Sequence, residues 1–385
     1  MERCVIEAAA GRKKAKLVFK NAQVVNVFTK QVEQADVAVE AGVIAGVGQY
    51  SGEEEVDCTG LYLCPGFVDA HIHVESTMAV PYEFARAVAT SGTTTVVADP
   101  HEIVNVCGAP AVEWLLKASE ALPVDIYWMM PSSVPATPFE TNGAPFTAQE
   151  MAPFAQMGPR VAGLGEVMCY PDVVAGTGEI YGKLALFAHK HIDGHAPGLS
   201  GKALAAYAAA GIETEHECTS FAEAKEKLAA GLAILVREGS AAKNLTAIVE
   251  GLLKEGLPTD RFLFCTDDKH LDDIAREGHI RWNVHQAVQL GMPVVDAICM
   301  ASYNAARVYG LKGVGAIAPG YRADIVLLDD WKQVHVHAVY KDGVPVEQKI
   351  AAARRVPAPA ALTHTMHFAP VTPQQLALPV PGEAH

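Results

Sequence analysis

Residues 61–76 read LYLCPGFVDAHIHVES, an apolar run that breaks into closely spaced aspartate and histidine. The run predicts a buried strand over 61–70, with the polar cluster at its carboxyl end. Seven further runs follow the same pattern: TTTVVAD ends at Asp99, DIYWMM at Met130, VAGLGE at Glu166, KHIDGH at His195, IETEH at His216, LAILVRE at Glu238 and RFLFCTD at Asp267. Between them lie stretches of helical composition such as PYEFARAVATSG, FAEAKEKLAAG and AAKNLTAIVEGLL. Eight strands alternating with helices, at intervals of roughly 20 to 36 residues, predict an α/β fold of the (β/α)8 TIM type. KHIDGH is short and polar for a strand, so a doubly wound sheet is the alternative architecture.

The flanks differ in character. AKLVFKNAQVVNVFTKQ (15–31) and ADVAVEAGVIAGVGQY (35–50) have a period near two with a turn at 41–42, and IAPGYRADIVLLDDWKQVHVHAVYKDGVPV (317–346) returns to hairpin text. These flanks predict one small β-rich domain, split in the sequence by the barrel. The expected division is 1–60 for its first half, 61–318 for the barrel with several short helices after residue 270, and 319–385 for its second half with a proline-rich, extended tail.

Composition narrows the partners. The chain has 385 residues, a net charge of −14 and 50% hydrophobic residues with 19% charged, enough for a large core. An acidic chain without a basic stripe is a poor phosphate-backbone binder, so nucleic acid is not expected. No apolar run is long enough for a membrane span, and the basic cluster after the first alanines is not patterned as a signal peptide. Eight cysteines without a CxxC pair fit buried thiols. A cytoplasmic, homo-oligomeric chain is the expectation.

A barrel presents its chemistry at the carboxyl ends of its strands. His71 and His73, two apart in extended chain, point the same way and are able to serve one ion; a satisfied surface pair is the plain alternative. Glu166, His195, His216 and Asp267 at other strand ends complete a set of imidazole and carboxylate groups suited to divalent zinc, manganese or iron. Six such groups exceed the needs of one tetrahedral ion, and two ions bridged by Glu166 and a hydroxide would use them all. Asp99, His101 and Glu102 crowd the second strand end, His101 as ligand or orienting group and Glu102 as proton carrier. A hydrogen-bonded Asp-Pro turn is their alternative reading. His270 is a candidate for the pocket rim, whereas His279, His285, His335, His337, His364, His367 and His385 read as surface or core. Water activated by divalent ions would attack an sp² carbon, with Asp267 accepting the proton and returning it to a departing nitrogen, which is hydrolysis of a C–N bond.

PGFVDAHIHVES, ADPHEIVNV, PSSVPAT, GLGEVM, DGHAPG, EHEC, REGSAAKNL, FCTDD and GAIAPGYRADIVLLD, in this order over most of residues 15–345, together resemble the adenine deaminases of the metal-dependent amidohydrolase superfamily. The resemblance implies conversion of adenine, a small purine base, and water to hypoxanthine and ammonia on two divalent ions, manganese first, with iron or zinc as alternatives. It implies that His71 and His73 hold one ion and His195 and His216 the other. Glu166 would bridge them where related enzymes use a carboxylated lysine, and Asp267 would be ligand and proton shuttle. Members of that family continue beyond the small β domain, so the chain would lack most of their C-terminal region. The competing readings are another amidohydrolase acting on a cyclic amide or N-acetyl substrate, which would call on Arg237 or Lys269 as an anion clamp, and an inactive, shortened or regulatory family member.

Overall fold

The computed structural model describes residues 2–137 and 139–378. Eight parallel strands carry the centre: β1 (Phe67–Ile72), β2 (Thr93–Ala98), β3 (Asp125–Met130), β4 (Val161–Val167), β5 (His191–Gly194), β6 (Thr214–Glu215), β7 (Ala233–Arg237) and β8 (Phe262–Cys265). β1 to β5 form one parallel sheet in sequence order and β6 to β8 a second. Between β5 and β6 the ladder thins to the Glu213 N–H donating to Ile192 O at 3.0 Å. Between β8 and β1 it is a single parallel bridge from Asp267 to Ile72. The fold is therefore α/β with a curled parallel sheet in two segments.

Strands buried on both faces read as near-continuous apolar runs, and here the two faces supply different clusters. Val68, Ala70, Val97, Met129, Leu235, Leu263 and Cys265 pack inside the curl with Ala305, Ala306 and Tyr309. Phe67, Val96, Ala98, Ile126, Leu164, Ile234, Phe262 and Phe264 face the larger core under the helices. The helical text forms Pro81–Ala89, Phe221–Ala229 and Leu245–Glu255, and four short helices lie between Leu271 and Val308. The shortest strand is β6 rather than the suspected β5. Its Glu215 is fully buried, matched by the equally buried Lys227 at 3.2 Å.

The second layer is an eight-stranded sheet in which Tyr62–Pro65 pairs parallel with Ala15–Asn26 and antiparallel with Ile325–Asp330. Its core holds Phe19, Val37, Ile44, Leu63, Ile325 and Leu327. The stretch 61–70, read as one strand, is thus two: Tyr62–Pro65 belongs to this sheet and Phe67 opens β1. Gly66 sits at the crossing, where a Cβ would lie 2.2 Å from Thr94 Oγ1. Two further differences concern the ends. A helix, Arg3–Ala9, precedes the first strand, and the tail carries short helices at Val346–Ala352 and Ala360–Thr363 rather than being extended throughout. His385 lies outside the described residues. Among the described residues all eight cysteines are free thiols, and no helix is long and apolar enough to cross a membrane.

One charge cluster fastens the outer sheet to the parallel strands. Lys341 Nζ, fully buried, lies 2.6 Å from Asp324 Oδ2 and 2.5 Å from Asp125 Oδ2 at the start of β3. Removing the cation leaves the buried Asp324 carboxylate with only the more distant Arg322 Nε at 3.8 Å and the Asp342 N–H, the costly way to break such a pair. Lys341→Met should therefore lower stability by about 3 kcal/mol in equilibrium urea unfolding. A loss below about 1 kcal/mol, the scale of a surface pair, would show that the cluster does not hold the layers together.

Candidate metal centre

The six residues singled out at strand ends converge on one point. His71 Nε2 and His73 Nε2 lie 3.2 Å apart at the end of β1. Asp267 Oδ1, just beyond β8, is 3.5 Å from His71 Nε2 and 3.2 Å from His73 Nε2. Glu166 at the end of β4 offers one oxygen to each side. Its Oε1 is 3.4 Å from His73 Nε2 and 3.1 Å from His101 Nδ1, and its Oε2 is 2.7 Å from His195 Nδ1 and 3.1 Å from His216 Nε2. The His71 and His216 rings stack with centroids 4.2 Å apart.

Local backbone explains why these side chains meet. Glu166 N–H donates to Asp99 Oδ2 at 2.9 Å, which locks β4 to the end of β2. Gly165 makes room for that contact, since a Cβ there would lie 2.1 Å from the same oxygen. Asp267 has φ of 56°, in the left-handed region that aspartate tolerates better than most residues. Its N–H donates to His71 O at 2.9 Å and its carbonyl accepts from His73 N–H at 3.2 Å, so β1 fixes this conformation from both sides. Below it, Asp69 accepts from Thr266 Oγ1 at 2.5 Å and lies 3.0 Å from His279 Nε2. His279 is accordingly a core residue.

Electrostatics follow from burial and proximity. Burial pushes the Glu166 carboxyl up, but the facing imidazoles of His101, His195 and His216 hold it well below the usual carboxylate range. Burial acts in the same way on Asp267, and the His71 and His73 imidazoles beside it again prevail and hold it low. Burial lowers the imidazoles, yet the facing carboxylates raise His73 well above its ordinary value, His101 to about 11 and His216 to about 9. The centre is thus built to pair buried negative charge with positive charge, and protons and divalent cations compete for the same imidazole nitrogens.

The donor set fits divalent cations better than it fits hydrogen bonding alone. His71 Nδ1, His101 Nδ1, His216 Nε2 and Asp99 Oδ1 are buried and make no hydrogen bond, although His216 and His101 nitrogens come within 3.1 Å of Glu166 oxygens. A hydrogen bond needs alignment, whereas a cation is satisfied by any converging lone pairs. Groups able to hold an ion include His71, His73 and Glu166 on one side and Glu166, His195 and His216 on the other, sharing Glu166. His71, His216 and Asp267 form a third such group.

The remaining candidates take clear places. His101 and Glu102 open the helix His101–Cys107, with His101 against Glu166 and Glu102 Oε1 3.4 Å from His101 Nε2, one residue removed from the centre. Ser132 and Ser133 of the PSSVPAT loop are buried beside β4, Ser132 Oγ donating to Glu166 O at 2.5 Å. His270 is exposed, and His335, His337, His364 and His367 are on the surface. Arg237 is engaged within the protein: it donates to Asp267 Oδ2 at 2.8 Å and to Glu217 Oε2 at 3.0 Å. Lys269 is buried against Glu277 at 2.8 Å. Neither cation stands free to clamp an anionic substrate. Glu75, Asp193 and Glu217 are not among the residues the sequence singles out, yet each lies within two residues of a chosen histidine, which is the signal that would have found them.

The pattern of the Amidohydrolase family matches residues 62–346. An adenine deaminase of Desulfitobacterium hafniense (strain Y51) is 50% identical over 371 residues, covering 96% of this chain and 65% of its own length. Adenine deaminase 2 of Carboxydothermus hydrogenoformans is 45% identical, covering 97% of this chain and 66% of its own length. The chain thus spans somewhat under two thirds of these relatives. Among solved structures, a β-aspartyl dipeptidase from Fervidobacterium islandicum AW-1 has a TM-score of 0.63 at 18% identity, covering 87% of this chain and 97% of its own. An enamidase described as an amidohydrolase superfamily member has a TM-score of 0.64 at 19% identity, covering 86% and 96%. With the pattern matched across both the histidine pair of β1 and the end of the outer sheet, the chain belongs to the amidohydrolase family and is closely related to adenine deaminases.

Proposed function

We propose that this chain carries a hydrolytic deaminase centre that converts adenine and water to hypoxanthine and ammonia. The single observation that supports it most is Glu166, whose two oxygens face separate sets of imidazoles, next to an Asp267 carboxylate that faces His71 and His73. On this reading the eight strands act as a closed (β/α)8 barrel over residues 67–318, with the outer sheet drawn from 15–65 and 325–345.

In this proposal His71, His73 and Glu166 hold one divalent ion, and Glu166, His195 and His216 hold the other, with Asp267 as a further ligand. When bound, the ions supply Lewis acidity and lower the pKa of water toward neutrality, with manganese the first candidate and iron or zinc the alternatives. Asp267 Oδ1 takes the proton of the attacking water and returns it to the exocyclic nitrogen as that nitrogen leaves C6. Arg237 on Oδ2 keeps the carboxylate turned toward His71 and His73. His101 orients Glu166 from the side opposite His195, and Glu102, with Oε1 near His101 Nε2, carries protons between that imidazole and solvent. The purine would sit at the carboxyl ends of the strands between His101 and the PSSVPAT loop. The internal engagement of Arg237 and Lys269 favours a neutral heterocycle over a carboxylate- or phosphate-bearing substrate.

Manganese-loaded protein offered adenine, adenosine, dihydroorotate or an N-acetylated sugar phosphate in separate assays should release ammonia from adenine. Turnover of one of the last two with adenine inert would overturn the substrate. Elemental analysis of the folded, loaded protein should approach two ions per chain, and a value near zero would overturn the metal centre. Asp267→Asn keeps the side-chain size but not the base, so ammonia release should fall by about 10²-fold or more while much of the bound metal remains. Near-unchanged turnover in that variant would move the proton transfer to Glu102 or to Asp268, which hydrogen-bonds Ser76.

A further inference from the structure

We propose that Asp193 is the positioning residue for His71: its Oδ2 accepts a hydrogen bond from His71 Nδ1–H and so presents the His71 Nε2 lone pair to the metal centre. This rests on the reading that His71 and His73 hold a divalent ion, and it assigns the group that makes His71 fit for the task.

His73 Nδ1 lies 2.8 Å from Asp99 O, and a carbonyl oxygen only accepts. His73 therefore carries its hydrogen on Nδ1 when neutral and directs the Nε2 lone pair at the centre. His71 Nε2 lies 3.2 Å from that same nitrogen, so a shared ion requires His71 to adopt the same tautomer. No carbonyl partners His71 Nδ1. It is buried and without a hydrogen bond, and Asp193 Oδ2, also buried and without one, lies 4.0 Å away. The two side chains are 0% and 1% exposed, so bulk water does not serve either atom. An acceptor-only oxygen and an imidazole nitrogen facing each other in this way define the missing hydrogen bond, and ligating histidines characteristically give their second N–H to such a carboxylate.

Asp193 is itself held from behind. Its Oδ1 accepts from Thr214 Oγ1 at 2.6 Å and from Tyr309 OH at 2.8 Å, and it lies 3.0 Å from His191 Nε2. Three groups on β6, on the helix-to-outer-sheet connection and on β5 itself thus fix one oxygen and leave the other for His71. The carboxylate lies inside the curl of the strands, so it acts on the metal centre from below without reaching substrate.

Asp193→Asn separates positioning from packing. With Oδ1 kept by its donors, the amide Nδ2 would face His71 Nδ1 as a donor, forcing His71 to accept there and to carry its hydrogen on Nε2, where it opposes an ion. Manganese titrated into the metal-free protein should bind about 10- to 100-fold more weakly in this variant. Tyr309→Phe, which removes a donor from Oδ1 alone, should lower the thermal midpoint without changing the manganese dissociation constant. Wild-type affinity in a folded Asp193→Asn variant would overturn this inference alone, as would equal weakening in Tyr309→Phe. Failure of the wild-type protein to bind manganese would overturn the metal-centre reading and this inference with it. If Asp193→Asn does not fold, a crystal structure of the manganese-loaded wild type decides: His71 Nδ1 and Asp193 Oδ2 should stand at hydrogen-bond distance, and separation without a bridging water would overturn the proposal.

Discussion

A carboxylate held almost out of water must be matched by positive charge, and Glu166 is that carboxylate here. Burying an ionised group without partners costs several kcal/mol even after relaxation. Glu166 is 3% exposed, and imidazoles from the ends of β1, β5 and β6 and from the helix after β2 stand within 3.4 Å of its two oxygens. No single segment supplies that match. The site therefore exists only when the curled sheet brings four strand ends together, and fold and chemistry depend on the same electrostatic condition.

The backbone around Glu166 is shaped to keep it there. Asp99 ties the Glu166 amide to β2, and Gly165 lets that carboxylate approach. At the opposite edge Asp267 occupies a left-handed conformation that the two β1 hydrogen bonds hold, so the bridge between β8 and β1 also aims a side chain at the centre. The ladder is thinnest at the two places where the sheet segments adjoin, and at both of them side chains rather than ladder bonds do much of the joining. Thr214 meets Asp193 on one side, and Asp69 meets Thr266 on the other.

Much of this was readable from residue order. All eight strand ends lie within two residues of their expected places, because strands buried on both faces leave long apolar runs that stop at polar residues. The junction between the two sheets was harder. Continuous apolar character across Pro65 and Gly66 hides the change of sheet, since both strands are buried and the crossing depends on contact with Thr94. The convergence of His71, His73, Glu166, His195, His216 and Asp267 was legible because histidines and acids at strand ends have few other reasons to cluster. The residues packed around that cluster were not: Asp193 reads as one polar residue in a poor strand, and its place shows only in distances to Thr214, Tyr309 and His71 that span much of the chain. Likewise Arg237 looked available for substrate until Glu217 and Asp267 were found on either side of it.

The central claim is that Glu166 joins two cation positions, one shared with His71 and His73 and one with His195 and His216. Anomalous diffraction from crystals of manganese-loaded protein, collected on either side of the manganese absorption edge, tests it most directly. The account predicts two anomalous peaks, each within coordination distance of a different Glu166 oxygen. A map with no peak at Glu166, its oxygens hydrogen-bonded directly to the surrounding imidazoles, would contradict it.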